Sequence, residues 1–269
     1  MKTGCSILKR EEIQIARDAG YDYLELRGKY LAFIGSEEYD FLRADLERVQ
    51  ISCMGLNAYC PKEIVMAGPG YDRKKTEQYA KHCAERAAKL GVKCVGIGSP
   101  ESRKLPKDYS LRRAQWELRE FLKSTADAFG KYGITVCLEP LAPCYCNFVN
   151  TLEEAAEIVA EIGWEEICLI ADFYNLEYVN EADMDMSRFL PLLYHVHVSD
   201  DDGGPERRSY LKEEKREIHR TRIRQLCNIG YDGAFSLEVD IPIERKKAEQ
   251  SRLIISEAVV EGKKVREGK

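Results

Sequence analysis

The feature that most constrains the fold is a series of eight short apolar segments, separated by longer charged stretches. The segments cover residues 3–8, 21–26, 51–56, 93–97, 134–138, 167–171, 193–198 and 235–239. Each has the length of a strand, and its apolar positions are nearly continuous, which is typical of parallel strands buried on both faces. Between these segments, helical patterns cover residues 73–90, 111–132, 152–162, 212–229 and 244–261.

Glycines separate several predicted helices from the next strand. Because glycine adopts the left-handed conformation that closes a helix, each marks a helix end; they are Gly20, Gly91, Gly133, Gly163 and Gly230. Eight strand–helix units in 269 residues predict a (β/α)₈ TIM barrel that forms a single domain over residues 1–269, since such a barrel takes about 250 residues. The alternative is an open doubly wound sheet, which usually carries a glycine-rich phosphate loop after its first strand. The segment Gly4-Cys5-Ser6 is no such loop.

Composition narrows the class of protein. The net charge of −5 argues against a nucleic-acid partner, which usually demands a basic surface. No apolar stretch of about 18 residues is present, so we expect no membrane span, and the first residues show no long apolar signal region. The ten cysteines form no C-x-x-C pair, and we interpret them as reduced packing residues. These observations favour a cytoplasmic metabolic enzyme.

Four polar residues end four successive predicted strands: Glu139, Asp172, His197 and Glu238. The carboxyl ends of barrel strands meet at one rim, so these side chains are expected to be neighbours. A carboxylate at a buried strand end is costly unless it is paired or binds a metal. One such residue is more often a helix cap or an ion-pair partner, but four in succession favour a metal site. Three carboxylates and one imidazole suit Mn²⁺, Mg²⁺ or Co²⁺ and accept Zn²⁺.

Two features of the sequence leave alternatives open. His195 and His197 lie two positions apart on one strand and therefore on one face, so either could be the ligand. Basic residues after strands four and seven could bind a phosphate or form a solvated charged loop; they are Arg103, Lys104, Lys107, Arg207 and Arg208. Tyr145 and Tyr174 are candidates for contact with a substrate face.

An ordered set of motifs covers nearly the whole chain. It comprises YDYLELRG, VGIGSPESRKLP, GITVCLEPL, CNFVNT, CLIADFYN, YHVHVSD and GYDGAFSLEVD. In this order the motifs resemble the sugar phosphate isomerase/epimerase family of the xylose-isomerase-like TIM barrel superfamily. The resemblance implies one bound divalent metal, Mn²⁺ in the first place, with Glu139, Asp172, His197 and Glu238 as its ligands. It favours His197 over His195, because the ligand histidine of that family precedes a short run that ends in aspartate.

The resemblance also implies substrate contacts. His195 would lie beside the substrate, Arg103 would hold hydroxyls or a phosphate by a bidentate fork, and Asn147 would lie at the mouth. Arg207 is a further candidate on the loop after strand seven. Asn175 is a departure, because the family often has histidine at this position. Asparagine still forms hydrogen bonds, but it does not carry a proton near neutral pH.

The implied activity is that of a sugar, sugar phosphate or keto-sugar isomerase or epimerase. Glu139 and Glu238 would be the catalytic pair, moving a proton next to a carbonyl through a metal-stabilised enediolate. A lyase of the same superfamily, either a dehydratase or a C-glycoside-cleaving enzyme, begins with the same step and is the alternative. An apurinic-site endonuclease needs more histidines than the four present. A non-catalytic binding subunit is disfavoured by the intact ligand set. Relatives in the family form homodimers or homotetramers, so we expect such an assembly and a small carbohydrate-like substrate.

Overall fold

The computed structural model describes residues 1–267 and contains a closed barrel of eight parallel strands, which confirms the predicted fold. Around the barrel, β1 pairs with β2 on one side and with β10 on the other. The barrel strands are β1 (Thr3–Ile7), β2 (Tyr23–Arg27), β3 (Ser52–Asn57), β4 (Cys94–Ile97), β5 (Thr135–Leu138), β6 (Ile167–Asp172), β7 (Leu193–Val198) and β10 (Ala234–Leu237).

Helices follow the strands and flank the barrel. They are α1 (Ile13–Asp18), α2 (Gly28–Phe33), α3 (Ser36–Val49), α4 (Arg73–Leu90), α5 (Leu111–Phe129), α6 (Leu152–Ile162), α7 (Phe173–Glu177), α8 (Arg216–Ile229) and α9 (Arg245–Glu267). Helix α6 illustrates how local sequence signals set both ends of a helix. Thr151 and Glu154 form a reciprocal capping box at its start, and Gly163 ends it with a φ of +66°.

The loop after β7, expected to be irregular, contains a short hairpin. Its two strands are β8 (Asp200–Asp201) and β9 (Arg208–Ser209), paired antiparallel. Asp200 fixes the base of this hairpin: it accepts hydrogen bonds from the Lys212 backbone at 2.7 Å and His219 Nε2 at 2.8 Å. The hairpin therefore presents Arg208 at a defined position beside the rim of the barrel.

The cysteines are reduced and mostly buried, as the sequence analysis predicts. All ten are free thiols, and eight of them are buried, whereas Cys144 is exposed and Cys168 is partly buried. Burial raises the pKa of Cys53 to about 12, so this thiol is protonated at neutral pH and serves packing.

Within residues 1–267, no helix is long and apolar enough to cross a membrane.

Candidate active site

The four predicted ligand residues meet at the carboxyl end of the barrel. In register, Asp172 on β6 lies beside His197 on β7, while Glu139 and Glu238 directly follow β5 and β10. Each residue offers one nitrogen or oxygen atom, and these atoms all lie within 4.8 Å of one another. All four side chains are buried. The absence of a side chain at Gly98 makes room for the Glu139 carboxylate, because an added Cβ would overlap Glu139 Oε2.

His197 is oriented by a carboxylate that lies deeper in the barrel. Its Nε2 lies 3.0 Å from Glu25 Oε2, and its Nδ1 lies 3.1 Å from Glu238 Oε2. Burial acts to lower the pKa of His197, but the charges of Glu238 and Glu25 outweigh it and raise the pKa well above its ordinary value. A divalent metal would replace the proton on Nδ1 while Nε2 still donates to Glu25, as in a metal-ligating histidine. Glu25 received no role from the sequence. The signal for it was an acidic residue between Leu24 and Leu26 in a buried strand.

His195 does not lie beside the mouth, where it was expected as a substrate contact. Its Nε2 is 2.6 Å from Glu25 Oε1, and the side chain is buried in the barrel interior. The two histidines do share a face, but two residues along a strand span about 6.6 Å, so His195 lies one layer further from the rim. Burial alone would raise the pKa of Glu25, but the two imidazoles outweigh burial and hold its pKa well below the ordinary value.

Arg208 enters the carboxylate cluster from the hairpin. Its guanidinium forms ion pairs with Asp172 Oδ2 and Glu238 Oε2, and it lies 5.0 Å from the centre of the Tyr174 ring. Burial acts to raise the pKa of Glu238, but the charges of Arg208 and His197 lower it to about 2. Two of the three buried carboxylates thus pair with one guanidinium. The excess of negative charge and the oxygen-rich donor set suit a divalent metal.

Two of the predicted substrate residues form hydrogen bonds to the predicted metal ligands instead. Asn175 donates from Nδ2 to Asp172 Oδ2 at 2.6 Å and accepts from the Ala142 backbone at 3.1 Å, so it fixes a predicted ligand. Arg103 is fully buried and donates to three backbone carbonyls, with the shortest contact, 2.7 Å, to Glu139. The other two acceptors are the carbonyls of Ile97 and Val149. Its guanidinium therefore anchors the backbone under Glu139 and does not form the expected fork to a substrate.

The two remaining predicted contacts lie on the surface. Asn147 is exposed and forms a pair of 2.9 Å hydrogen bonds with the backbone of Leu105, so it joins the loops that follow β4 and β5. Arg207 is exposed and donates to the Asp202 carbonyl at 3.3 Å. Arg208, the first residue of β9, enters the site, whereas Arg207 lies just before the strand and stays in solvent.

A cavity of about 340 Å³ opens above the cluster. Of the four predicted ligands, it is lined by Glu139 and Glu238, whereas Asp172 and His197 lie beneath it. Its polar wall also includes residues without an earlier assignment: Arg27, Lys29, Ser99, Glu101 and Asp240. Tyr145 and Tyr174 both donate to the Pro205 carbonyl at 2.6 Å, which holds the tip of the hairpin close to this mouth.

Comparison with known proteins identifies the family. Residues 13–257 match the family described as xylose isomerase-like TIM barrel, and the chain belongs to it. An inosose isomerase of Halalkalibacterium halodurans is 25% identical over 247 residues, which is 86% of this chain and 83% of the relative. The chain is therefore similar to an isomerase over most of its length.

Two solved structures share the fold over almost the full length. The E. coli 3-keto-D-glucoside 4-epimerase is 19% identical, with a TM-score of 0.72 and coverage of 97% of this chain and 99% of the other. The IOLI protein, solved with a bound zinc atom, is 20% identical, with a TM-score of 0.66 and coverage of 97% and 98%.

Proposed function

We propose that the protein is a divalent-metal-dependent isomerase or epimerase of a small keto-sugar or cyclic keto-polyol. Glu139, Asp172, His197 and Glu238 would hold the metal. One observation carries this proposal: among these four residues, the two glutamates line the cavity where a substrate would bind. Asp172 and His197 can act only on the metal, whereas Glu139 and Glu238 can reach both the metal and a substrate carbon.

The donor set supports Mn²⁺ as the preferred ion. Three carboxylates and one neutral imidazole form a mainly hard set, which Mn²⁺, Mg²⁺ and Co²⁺ accept and Zn²⁺ tolerates. Glu25 fixes the tautomer of His197, and Asn175 fixes the carboxylate of Asp172. Partners of this type commonly contribute ten- to a hundredfold to metal affinity.

The chemistry follows from the two glutamates. A metal held by these residues would polarise the substrate carbonyl and would stabilise the negative charge on its oxygen. One glutamate removes the proton from the carbon next to the carbonyl, and the other returns a proton to this carbon from the opposite face or to the neighbouring carbon. The first outcome is epimerisation and the second is isomerisation. Asn175 cannot carry a proton near neutral pH, so this work stays with Glu139 and Glu238.

For this reaction, the Arg208 guanidinium has to release the Glu238 carboxylate. A carboxylate whose pKa is about 2 is a poor base, and the contact with Arg208 keeps the Glu238 carboxylate in that state. When Arg208 leaves Glu238, it is still within the cavity wall and can donate to a substrate hydroxyl or carbonyl oxygen. Lys104, Lys107 and Arg207 do not line this cavity, and Arg103 is bound to backbone carbonyls. The basic residues that do line the cavity are Arg27, Lys29 and Arg208.

The test is exchange of a carbon-bound hydrogen with solvent. The Mn²⁺-loaded enzyme is incubated in D₂O with inosose and with a panel of ketoses, and deuterium is followed by NMR. We expect exchange in the wild type and its loss in Glu139→Gln and Glu238→Gln. Glu101→Gln, at an exposed glutamate of the cavity wall, is the matched control and should retain exchange. An active Glu139→Gln enzyme would refute the assigned role, and loss of water from the substrate would identify a lyase.

A further inference from the structure

A second cavity lies at the amino end of the barrel, opposite the candidate active site. Its volume is about 530 Å³, within the range of small-molecule sites. Its walls come from the starts of barrel strands, including Tyr23, Cys94, Leu193 and Ala234, and from the turn between α8 and β10. TIM barrel enzymes keep their catalytic residues at the other end, so this cavity is separate from the site described above.

The deep end of this cavity is lined by two ring side chains whose polar atoms bond inside the barrel. His195 lines the cavity and is only 3% exposed, and its Nε2 lies 2.6 Å from Glu25 Oε1. The neighbouring Tyr23 hydroxyl is bonded to Ser236 Oγ at 2.7 Å. A ligand in the cavity would therefore meet mainly ring surface at its deep end.

The rim of the same cavity is basic. Lys2 and Lys93 line it, both exposed, and neither forms an ion pair with any residue in the described part of the chain. Lys2 Nζ instead lies 3.6 Å from Met54 Sδ, over the apolar wall. Asp232 is the acidic residue of the rim, so cationic side chains outnumber acidic ones by two to one. Met1, Met54, Leu190, Leu193 and Tyr194 make the remaining wall mainly apolar.

We propose that this cavity is a second binding site, for a small organic anion with a flat apolar body. The apolar walls and the rings of Tyr23 and His195 would cover the body, and the carboxylate or sulfonate would lie between Lys2 and Lys93. Electrostatic attraction at the rim gives the preference for an anion. The site is independent of the activity proposed above.

The test is a fluorescence titration of the metal-loaded protein with 1-anilinonaphthalene-8-sulfonate, an aromatic sulfonate that brightens in apolar surroundings. We expect saturable binding to one site. Lys93→Glu reverses a rim charge and should weaken binding about tenfold. Lys81→Glu, at an exposed unpaired lysine on α4, is the control of equal charge change and should bind as the wild type does.

A second variant blocks the space itself. Ala234→Trp would fill the cavity and should abolish binding, with circular dichroism to check that the protein is folded. If this variant does not fold, the comparison of Lys93→Glu with Lys81→Glu decides, because both lysines are exposed. The proposal is overturned if the wild type shows no saturable binding, if the two lysine variants bind equally, or if folded Ala234→Trp still binds.

Discussion

Arg208 competes with the proposed metal for the same carboxylates. Its guanidinium pairs with Asp172 and Glu238, two of the four proposed ligands. Each hydrogen bond to a charged group is worth about 1.5–3 kcal/mol net, so the lower figure gives about 3 kcal/mol for the two contacts that metal binding disrupts. A tenfold change in affinity corresponds to about 1.4 kcal/mol. We therefore expect Arg208→Met to bind Mn²⁺ about a hundredfold more tightly than the wild type.

Calorimetric titration of chelator-treated protein with Mn²⁺ measures this change. Arg207→Met is the matched control, because its guanidinium is exposed and forms only a 3.3 Å contact to a backbone carbonyl; its affinity should equal that of the wild type. Turnover of Arg208→Met should fall despite the tighter metal, since the cavity loses a hydrogen-bond donor. Equal or weaker Mn²⁺ binding in Arg208→Met would refute the competition.

Three further predictions concern the supports of the site. Asn175→Leu removes the hydrogen bond to Asp172 and should weaken Mn²⁺ binding ten- to a hundredfold in the same titration, whereas unchanged affinity would exclude this support. Arg103→Met leaves the buried Glu139 carbonyl without its side-chain donor, whereas the Ile97 and Val149 carbonyls keep backbone donors. The free energy of unfolding in urea should therefore fall by about 1–3 kcal/mol, and an unchanged value would contradict this role. Burial opposes ionisation of Asp200, but His219 outweighs it and lowers the pKa of Asp200 to about 2. This pKa lies below the value of about 3.9 in unfolded chains, so ionised Asp200 contributes about 2 kcal/mol to stability above about pH 4, and this contribution is lost as the pH falls toward 2. Urea unfolding of Asp200→Asn should lack this pH dependence, and parallel wild-type and variant curves would contradict it.

The fold was predictable because its signals are local. Eight apolar runs correspond to the eight barrel strands, and residues 152–162 form a helix with the predicted bounds. The glycines that end helices have positive φ, for example +79° at Gly91. The four polar strand ends come together because parallel strands share a rim, a property of the topology that does not depend on details of packing.

The supporting residues were less predictable because their roles depend on depth and direction. Alternation and strand direction place His195 and His197 on one face with His197 nearer the carboxyl rim, but they do not say that the deeper His195 contacts Glu25. Arg103 and Asn147 lie on loops, where spacing gives no direction, and both turn toward backbone groups. Arg208 is directed into the site by a two-residue strand that begins at that residue, and Arg207 lies just outside it, a boundary that the sequence does not mark.

The central claim is that one divalent metal is held by residues from four successive barrel strands. Elemental analysis of the purified wild type beside His197→Ala, both soaked with Mn²⁺ and desalted, tests it most directly. We predict about one equivalent of metal in the wild type and its loss in the variant, because His197 supplies the single nitrogen of the donor set. A wild type that retains no metal after soaking, or a His197→Ala protein that retains as much as the wild type, would contradict the account.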